Sequence, residues 1–310
     1  MARRKKGKAV HGWLILDKPA SMTSTQAVGT VRRLFDAQKA GHAGTLDPLA
    51  TGVLPIALGE ATKTVPYAVD GEKGYQFTVR WGVETDTDDA EGRATANSEL
   101  RPDRAAIEAL LPRFLGTILQ QPPAFSAIKV DGARAYDLAR AGEEIDLAAR
   151  PVHISTLRLV SLPDRDTSLF EAECGKGTYV RSLARDMGRA LGCLGHVIAL
   201  RRTRVGSFSV DDAVTLEALE AAAEEDGEAA GDLLLPVEAA LTSLVAFDVA
   251  RKDAARLLQG QPVIIRGRDA PAEVEACYTM CGGQLVALGR IEKGQLVPMR
   301  VFNFSNSGSH

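Results

Sequence analysis

Gly41-His42-Ala43-Gly44-Thr45-Leu46-Asp47-Pro48-Leu49-Ala50-Thr51-Gly52 is the stretch on which the reading of this chain turns. Three glycines and a proline set unusual backbone geometry around a single acid, Asp47. Asp-Pro by itself is a common way to begin a turn. Here Leu46, Leu49, Val53 and Leu54 flank the acid, which points it toward a sheltered cleft. A carboxylate among apolar neighbours needs a cation beside it to stay charged. The candidate cation closes a second motif, Gly175-Lys176-Gly177-Thr178-Tyr179-Val180-Arg181, a turn between a strand and a helix. Arg181 at the helix start can pair bidentately with a carboxylate. The motif is no dinucleotide fingerprint, because Val180 stands where the third glycine belongs. No phosphate-loop pattern occurs anywhere. Arg185 and Arg189 follow at i+4 and i+8, a basic stripe suited to a phosphate backbone.

Outward from these motifs, Gly12-Trp13-Leu14-Ile15-Leu16 reads as a buried strand stopped by Asp17-Lys18-Pro19. Ser24 caps a helix with Val28, Val31, Leu34 and Phe35 at helical spacing. Residues 41–59, punctuated by Gly and Pro, read as loop. Residues 75–82 alternate through Phe77, Val79 and Trp81 as a strand. Residues 104–115 form an amphipathic helix. Residues 120–150, opening on Gln-Gln-Pro-Pro, form an excursion with a small helix of its own. Strands return at 154–162 and 169–174, and a helix over 182–191 ends at Gly192 as a left-handed cap. Residues 217–232 are rich in Ala and Glu and read as an exposed helix trailing into a linker.

From residue 246 the character changes to short, closely spaced strands, which suggest a small β-barrel of about 60 residues. Strands and helices do not alternate regularly enough for a doubly wound sheet. The expected fold is therefore α+β: a catalytic domain on a mixed, largely antiparallel sheet, with a C-terminal β-barrel. The expected boundaries are a basic tail at 1–9, a catalytic domain at 10–245, a barrel at 246–304 and a tail at 305–310.

Composition narrows the classes. The 310 residues carry 37 Lys and Arg against 40 Asp and Glu, a formal net charge of −3. That balance argues mildly against nucleic acid, but distribution matters more than the sum. Acid gathers at 84–91 and 217–232, and base at Arg3-Arg4-Lys5-Lys6, at Arg181, Arg185 and Arg189, and at Arg201-Arg202-Thr203-Arg204. No apolar run approaches the roughly 20 residues that span a bilayer. The basic N-terminus has no apolar segment behind it, so a cytoplasmic protein is expected. Cys174, Cys193, Cys277 and Cys281 lack zinc-finger spacing and read as reduced thiols.

The Gly41–Gly52 segment closely resembles the catalytic motif of the TruB family of bacterial tRNA pseudouridine synthases. The likeness extends in order through the opening strand and its Asp17-Lys18-Pro19 stop, Gly59-Glu60-Ala61-Thr62-Lys63 with the Tyr75 strand, and Thr85-Asp86-Thr87-Asp88-Asp89-Ala90-Glu91-Gly92. Phe125-Ser126-Ala127-Ile128-Lys129, Lys176–Arg181 and His196-Val197-Ile198-Ala199-Leu200-Arg201-Arg202 complete it. The acidic linker is longer than the family pattern, and the C-terminal region is the weakest match. The resemblance implies uridine 55 of the tRNA T-loop as target and a C-terminal domain of the PUA type.

It also implies roles. Asp47 would supply the nucleophile or base, paired with Arg181, and Tyr75 would stack under a flipped uracil. Tyr179 and Leu200 would wall the pocket. His42 would stack on or replace a displaced loop base. Lys63 would order the Tyr75 or Asp47 neighbourhood or touch phosphate. Asp89 would hydrogen-bond in the active-site loop or contact RNA, and Lys129 belongs to an RNA-gripping insertion. The reaction is an isomerisation, so no cofactor or metal is expected, and a monomer with no obligatory protein partner is the default. Two rival readings share the pocket: a tRNA folding assistant, and a guide-RNA-dependent synthase.

Overall fold

The structure, a computed structural model, describes residues 7–126, 128–130, 133–134, 147–225, 229–265 and 271–304. Its centre is a ten-stranded mixed sheet. Eight strands form the main path: β1 (Gly12–Lys18), β2 (Thr51–Leu58), β3 (Lys73–Trp81), β4 (Gly116–Gln120), β5 (Arg150–Ser161), β6 (Thr167–Cys174), β7 (Gly195–Val205) and β8 (Val214–Thr215). Their order is β8-β1-β2-β7-β3-β6-β5-β4. Along this path only β8–β1 and β2–β7 run parallel, so the sheet is mixed and largely antiparallel, as expected.

The apolar run in β1 follows from burial on both faces. Leu14 and Leu16 enter one core with Leu54, Ile56 and Leu58 of β2. Trp13 and Ile15 enter a second core with Val53 and Ala57. Residues of opposite parity therefore serve two different cores, and the strand has no polar face.

Among the described residues the α-helices are α1 (Ser24–Leu34), α2 (Val65–Asp70), α3 (Arg104–Leu110), α4 (Val180–Ala190), α5 (Leu216–Glu225) and α6 (Arg251–Leu258). Three expectations are corrected. The first is that 41–59 is not all loop, since Ala40–His42 and the buried β2 lie in the sheet. Pro55 sits inside β2, where proline ordinarily argues against a strand. Its carbonyl accepts the Ala43 N–H at 2.9 Å, just past the short Ala40–His42 pairing, so its missing N–H falls where the ladder on that side has ended. The second is that Thr23, not Ser24, caps α1, through a capping box with Gln26. The third is that the 104–115 helix is α3 continued by a 3-10 turn, Leu111–Phe114, where Pro112 breaks the α-helical bonding. The small helix expected within 120–150 lies outside the described residues.

The C-terminal sheet has five strands, β9 (Val245–Asp248), β10 (Val263–Ile264), β11 (Val274–Cys281), β12 (Gln284–Glu292) and β13 (Gln295–Val301), in the order β9-β11-β12-β13-β10. It curls into a half-barrel rather than a closed one. Leu285, Leu288 and Phe302 pack in the same cluster as Trp13 and Ile15, which joins this sheet to the back of β1.

Candidate active site

Asp47 lies in the loop that links Ala40–His42 to β2. Two buried side chains hold that loop from the α1 side. Ser24 accepts the Leu46 N–H at 2.8 Å and donates to the Leu46 carbonyl at 3.0 Å. The fully buried Lys18 donates to the carbonyls of Pro19, Met22 and Pro48. Burial pulls the Lys18 ammonium down to about 8, against the opposing pull of Asp47.

Gly177, with φ of +84°, turns the chain from β6 into α4. α4 begins at Val180, so Arg181 points from its first turn into the cleft. Its Nε lies 2.8 Å from Asp47 Oδ2, the arginine side chain being 6% exposed and the aspartate 35%. The rest of the guanidinium is consumed by the scaffold. Nη1 donates to the Thr87 carbonyl at 2.9 Å and stands 3.4 Å from Asp89, and Nη2 donates to the Phe125 carbonyl at 2.9 Å. Asp89 is itself held by the Thr87 hydroxyl and the Glu91 N–H, so it aims Arg181 at Asp47.

The expected phosphate stripe is corrected. Arg185 is buried on Asp88 at 2.9 Å, and Arg189 makes a bidentate pair with Glu84. α4 and the acidic 84–91 stretch thus form a ladder of three ion-paired rungs. Burial pushes the Asp88 carboxyl up to about 6, against Arg185 and Arg181. The spacing at i, i+4 and i+8 was legible, but the partners lie about a hundred residues away in sequence.

A cleft of about 260 Å³ brings Asp47, Tyr75, Tyr179, Arg181 and Leu200 together, with Ser126, Lys73, Lys176 and Arg202 also on its walls. Tyr75 stands in β3, and Leu200 in the neighbouring β7. Burial raises the Tyr75 phenol above its ordinary value, although the Arg202 charge pulls the other way. Burial likewise raises Tyr179. Gln120 fixes Tyr179 by accepting its backbone N–H at 2.8 Å and donating to its carbonyl at 3.1 Å. His42 is not among the residues lining the cleft, and burial and the Arg202 charge hold its imidazole below the usual value.

One expected residue stands elsewhere. Lys63 is not among the residues lining the cleft. It pairs with Glu60 and donates to the Val301 carbonyl at the edge of the C-terminal sheet. The side chain of Lys129 lies outside the described residues. The sequence reading passed over Ser24, Lys18, Gln120 and Arg202 as site residues. Locally Ser24 reads as a helix cap, and Arg202 as one member of a basic run. Among the described residues no group of three or more His, Cys, Asp or Glu is arranged to hold a metal. No helix there is long and apolar enough to cross a membrane.

Comparison with known proteins accords with this geometry. The model of the N-terminal domain of the TruB family of pseudouridylate synthases matches residues 32–180, and that of the tRNA pseudouridylate synthase B C-terminal domain matches residues 181–242. The chain is 61% identical over 306 residues to the tRNA pseudouridine synthase B of Bradyrhizobium diazoefficiens, across 97% of this chain and 88% of that one. It is 59% identical to the protein of that name from Rhodopseudomonas palustris, across 97% and 83%. Among solved structures, a chain of a Cbf5-Nop10-Gar1 complex superposes with a TM-score of 0.72 at 26% identity, covering 95% of this chain and 85% of that one. With an acid loop and arginine arranged in this way, and with such identity along nearly its whole length, the chain belongs to the TruB family of pseudouridylate synthases.

Proposed function

We propose that the chain converts uridine 55 in the T-loop of tRNA to pseudouridine, with Asp47 as the catalytic carboxylate. The observation that carries this reading is the Asp47–Arg181 ion pair at 2.8 Å, its arginine buried on Asp89 and its aspartate open to the cleft. In the reaction the N1–C1′ bond breaks, the uracil turns, and a C5–C1′ bond forms. The proton leaves C5 and one is gained at N1, so the composition is unchanged and no co-reactant is consumed. A base inside a loop must leave its stack to reach such a cleft. Tyr75 stacks on the flipped uracil, with its hydroxyl near C5. Tyr179 and Leu200 close the pocket, and neutral His42 takes the place of the displaced base.

The relatives' names support tRNA as substrate, and the resemblance of the Gly41–Gly52 motif supports the T-loop position. Their identity over nearly the whole chain also favours a synthase that acts alone over a guide-dependent one, and the reading takes it to be a cytoplasmic monomer. In this reading residues 10–245 carry the chemistry, and 246–304 form a PUA-like clamp for the rest of the tRNA.

The test is to incubate the protein with unmodified tRNA and map pseudouridine by position, alongside Asp47→Asn. Asparagine keeps the shape of the side chain and removes its charge. Turnover should vanish, while tRNA affinity stays within about tenfold, roughly 1.4 kcal/mol. Product at another position would refute the T-loop assignment. Wild-type turnover by Asp47→Asn would remove Asp47 from the mechanism and leave a tRNA binder's reading of the pocket open.

A further inference from the structure

Arg202 is 1% exposed, among the largest fully buried side chains of the chain. Its strand neighbours Arg201 and Arg204 pair with Asp17 and Glu173. Arg202 has no carboxylate at ion-pair distance among the described residues. A guanidinium buried without a counter-ion carries a large desolvation cost, which only its hydrogen bonds offset.

Those bonds converge on the two ends of the Asp47 loop. Nε donates to the Val53 carbonyl at 2.8 Å, Nη2 to Gly44 at 3.0 Å and Nη1 to Thr45 at 3.3 Å. One planar group thus grips the chain before and after Asp47. Arg202 also stands directly across the β7–β3 ladder from Tyr75, and its charge draws the Tyr75 phenol down against burial. Gly52 of the motif lets the β2 backbone close on that of Arg202. At Gly52, with φ of +97°, a Cβ would lie 2.2 Å from the Arg202 carbonyl oxygen.

We propose that Arg202 is a positioning residue that holds the Asp47 loop and Tyr75 in register within the cleft. The proposal rests on the reading of Asp47 and Tyr75 given above. Arg202 acts on the reaction only through these two side chains. Ser24 and Lys18 anchor the same loop independently at Leu46 and Pro48. Loss of Arg202 should therefore misalign the loop rather than unfold it.

Lysine at this position would keep the charge but lose the fork that reaches three carbonyls at once. It would also titrate. Lys18 and Lys73 in the same neighbourhood are both drawn down by burial, with the charge of Arg202 contributing. The experiment compares Arg202→Lys and Arg202→Met with wild type and with Asp47→Asn, by single-turnover rate at saturating tRNA from pH 6.5 to about 9, by filter binding and by thermal melting.

For Arg202→Lys we expect tRNA affinity within about threefold of wild type and a rate at least about thirtyfold lower at alkaline pH. Its rate relative to wild type should recover several-fold as the pH falls and the buried amine regains its proton. Arg202→Met keeps the stem without the charge and should fold and bind with no measurable turnover. A rate within threefold of wild type for either variant overturns the proposal, as does a loss for Arg202→Lys that is the same at every pH. If lysine prevents folding, methionine decides. If neither folds, Arg202 serves the fold alone and the proposal fails. Absence of wild-type turnover, or turnover by Asp47→Asn, would instead strike the functional reading beneath it.

Discussion

Lys63→Met separates two placements of one residue. Its motif resemblance suggests a position beside Asp47 or on phosphate, whereas the fold puts it at the edge of the C-terminal sheet. Its Nζ lies 2.5 Å from Glu60 Oε2, 2.8 Å from the Val301 carbonyl and 5.6 Å from the centre of the Phe302 ring. Glu60 also accepts the Asn303 N–H at 2.8 Å, so it keeps one partner after the substitution. The charged bond to Val301 contributes about 1.5 kcal/mol. The Glu60 pair adds about 0.5 kcal/mol, discounted because the lysine side chain is 25% exposed. The Phe302 face adds about 0.5 kcal/mol. The expected loss is about 2.5 kcal/mol of stability, on the order of 5 °C in melting temperature.

Urea unfolding followed by tryptophan fluorescence is the assay, since Trp13 shares a cluster with Leu288 and Phe302. The single-turnover rate should stay within about threefold of wild type. A hundredfold slower reaction with an unchanged unfolding midpoint would refute this account and return Lys63 to the site.

Two further perturbations address the loop. Ser24→Ala strips the Leu46 N–H and carbonyl of their buried partner, so about 2–4 kcal/mol of stability and at least about tenfold in bound-state rate should be lost; unchanged urea and single-turnover curves would contradict it. Lys18 is held at about 8 by burial against an ordinary 10.5. Between those values the unfolded chain keeps a proton that the folded one has released, so stability from this group rises with pH, by on the order of 3 kcal/mol. Lys18→Met should lose that rise, and parallel stability–pH curves for the two proteins would show the argument to be wrong.

Much of the fold was legible where one local signal sufficed. The run at Trp13, the alternation through Phe77, Val79 and Trp81, and the Gly177 and Gly192 punctuation around α4 all mark real elements. β2 was missed because Pro55 is a breaker locally, and only the arrangement of its neighbours tolerates it. Within the site, the motifs named Asp47 and Arg181, and the structure brings them into contact. What remained illegible was pairing. Nothing around Arg185 indicates Asp88, and nothing around Arg202 indicates the carbonyls of Gly44 and Val53. Lys63 was misplaced for a related reason, since its partner Val301 lies far down the chain. Hydrogen bonds to backbone carbonyls leave no trace in residue type.

The ladder between α4 and the 84–91 stretch has a consequence for how ionic strength acts on this protein. Arg181 and Arg185 are matched to carboxylates and shielded from water, so mobile ions screen them little. They offer an approaching polyanion little net charge. The counterions released from the RNA must therefore be displaced by other cations, such as Lys176 on the cleft wall, whose pair with Asp70 at 2.8 Å is exposed on both sides and open to exchange. Added salt should weaken capture of the RNA while leaving the rate of the captured complex flat, because the charges that draw the substrate in are not those that align the aspartate.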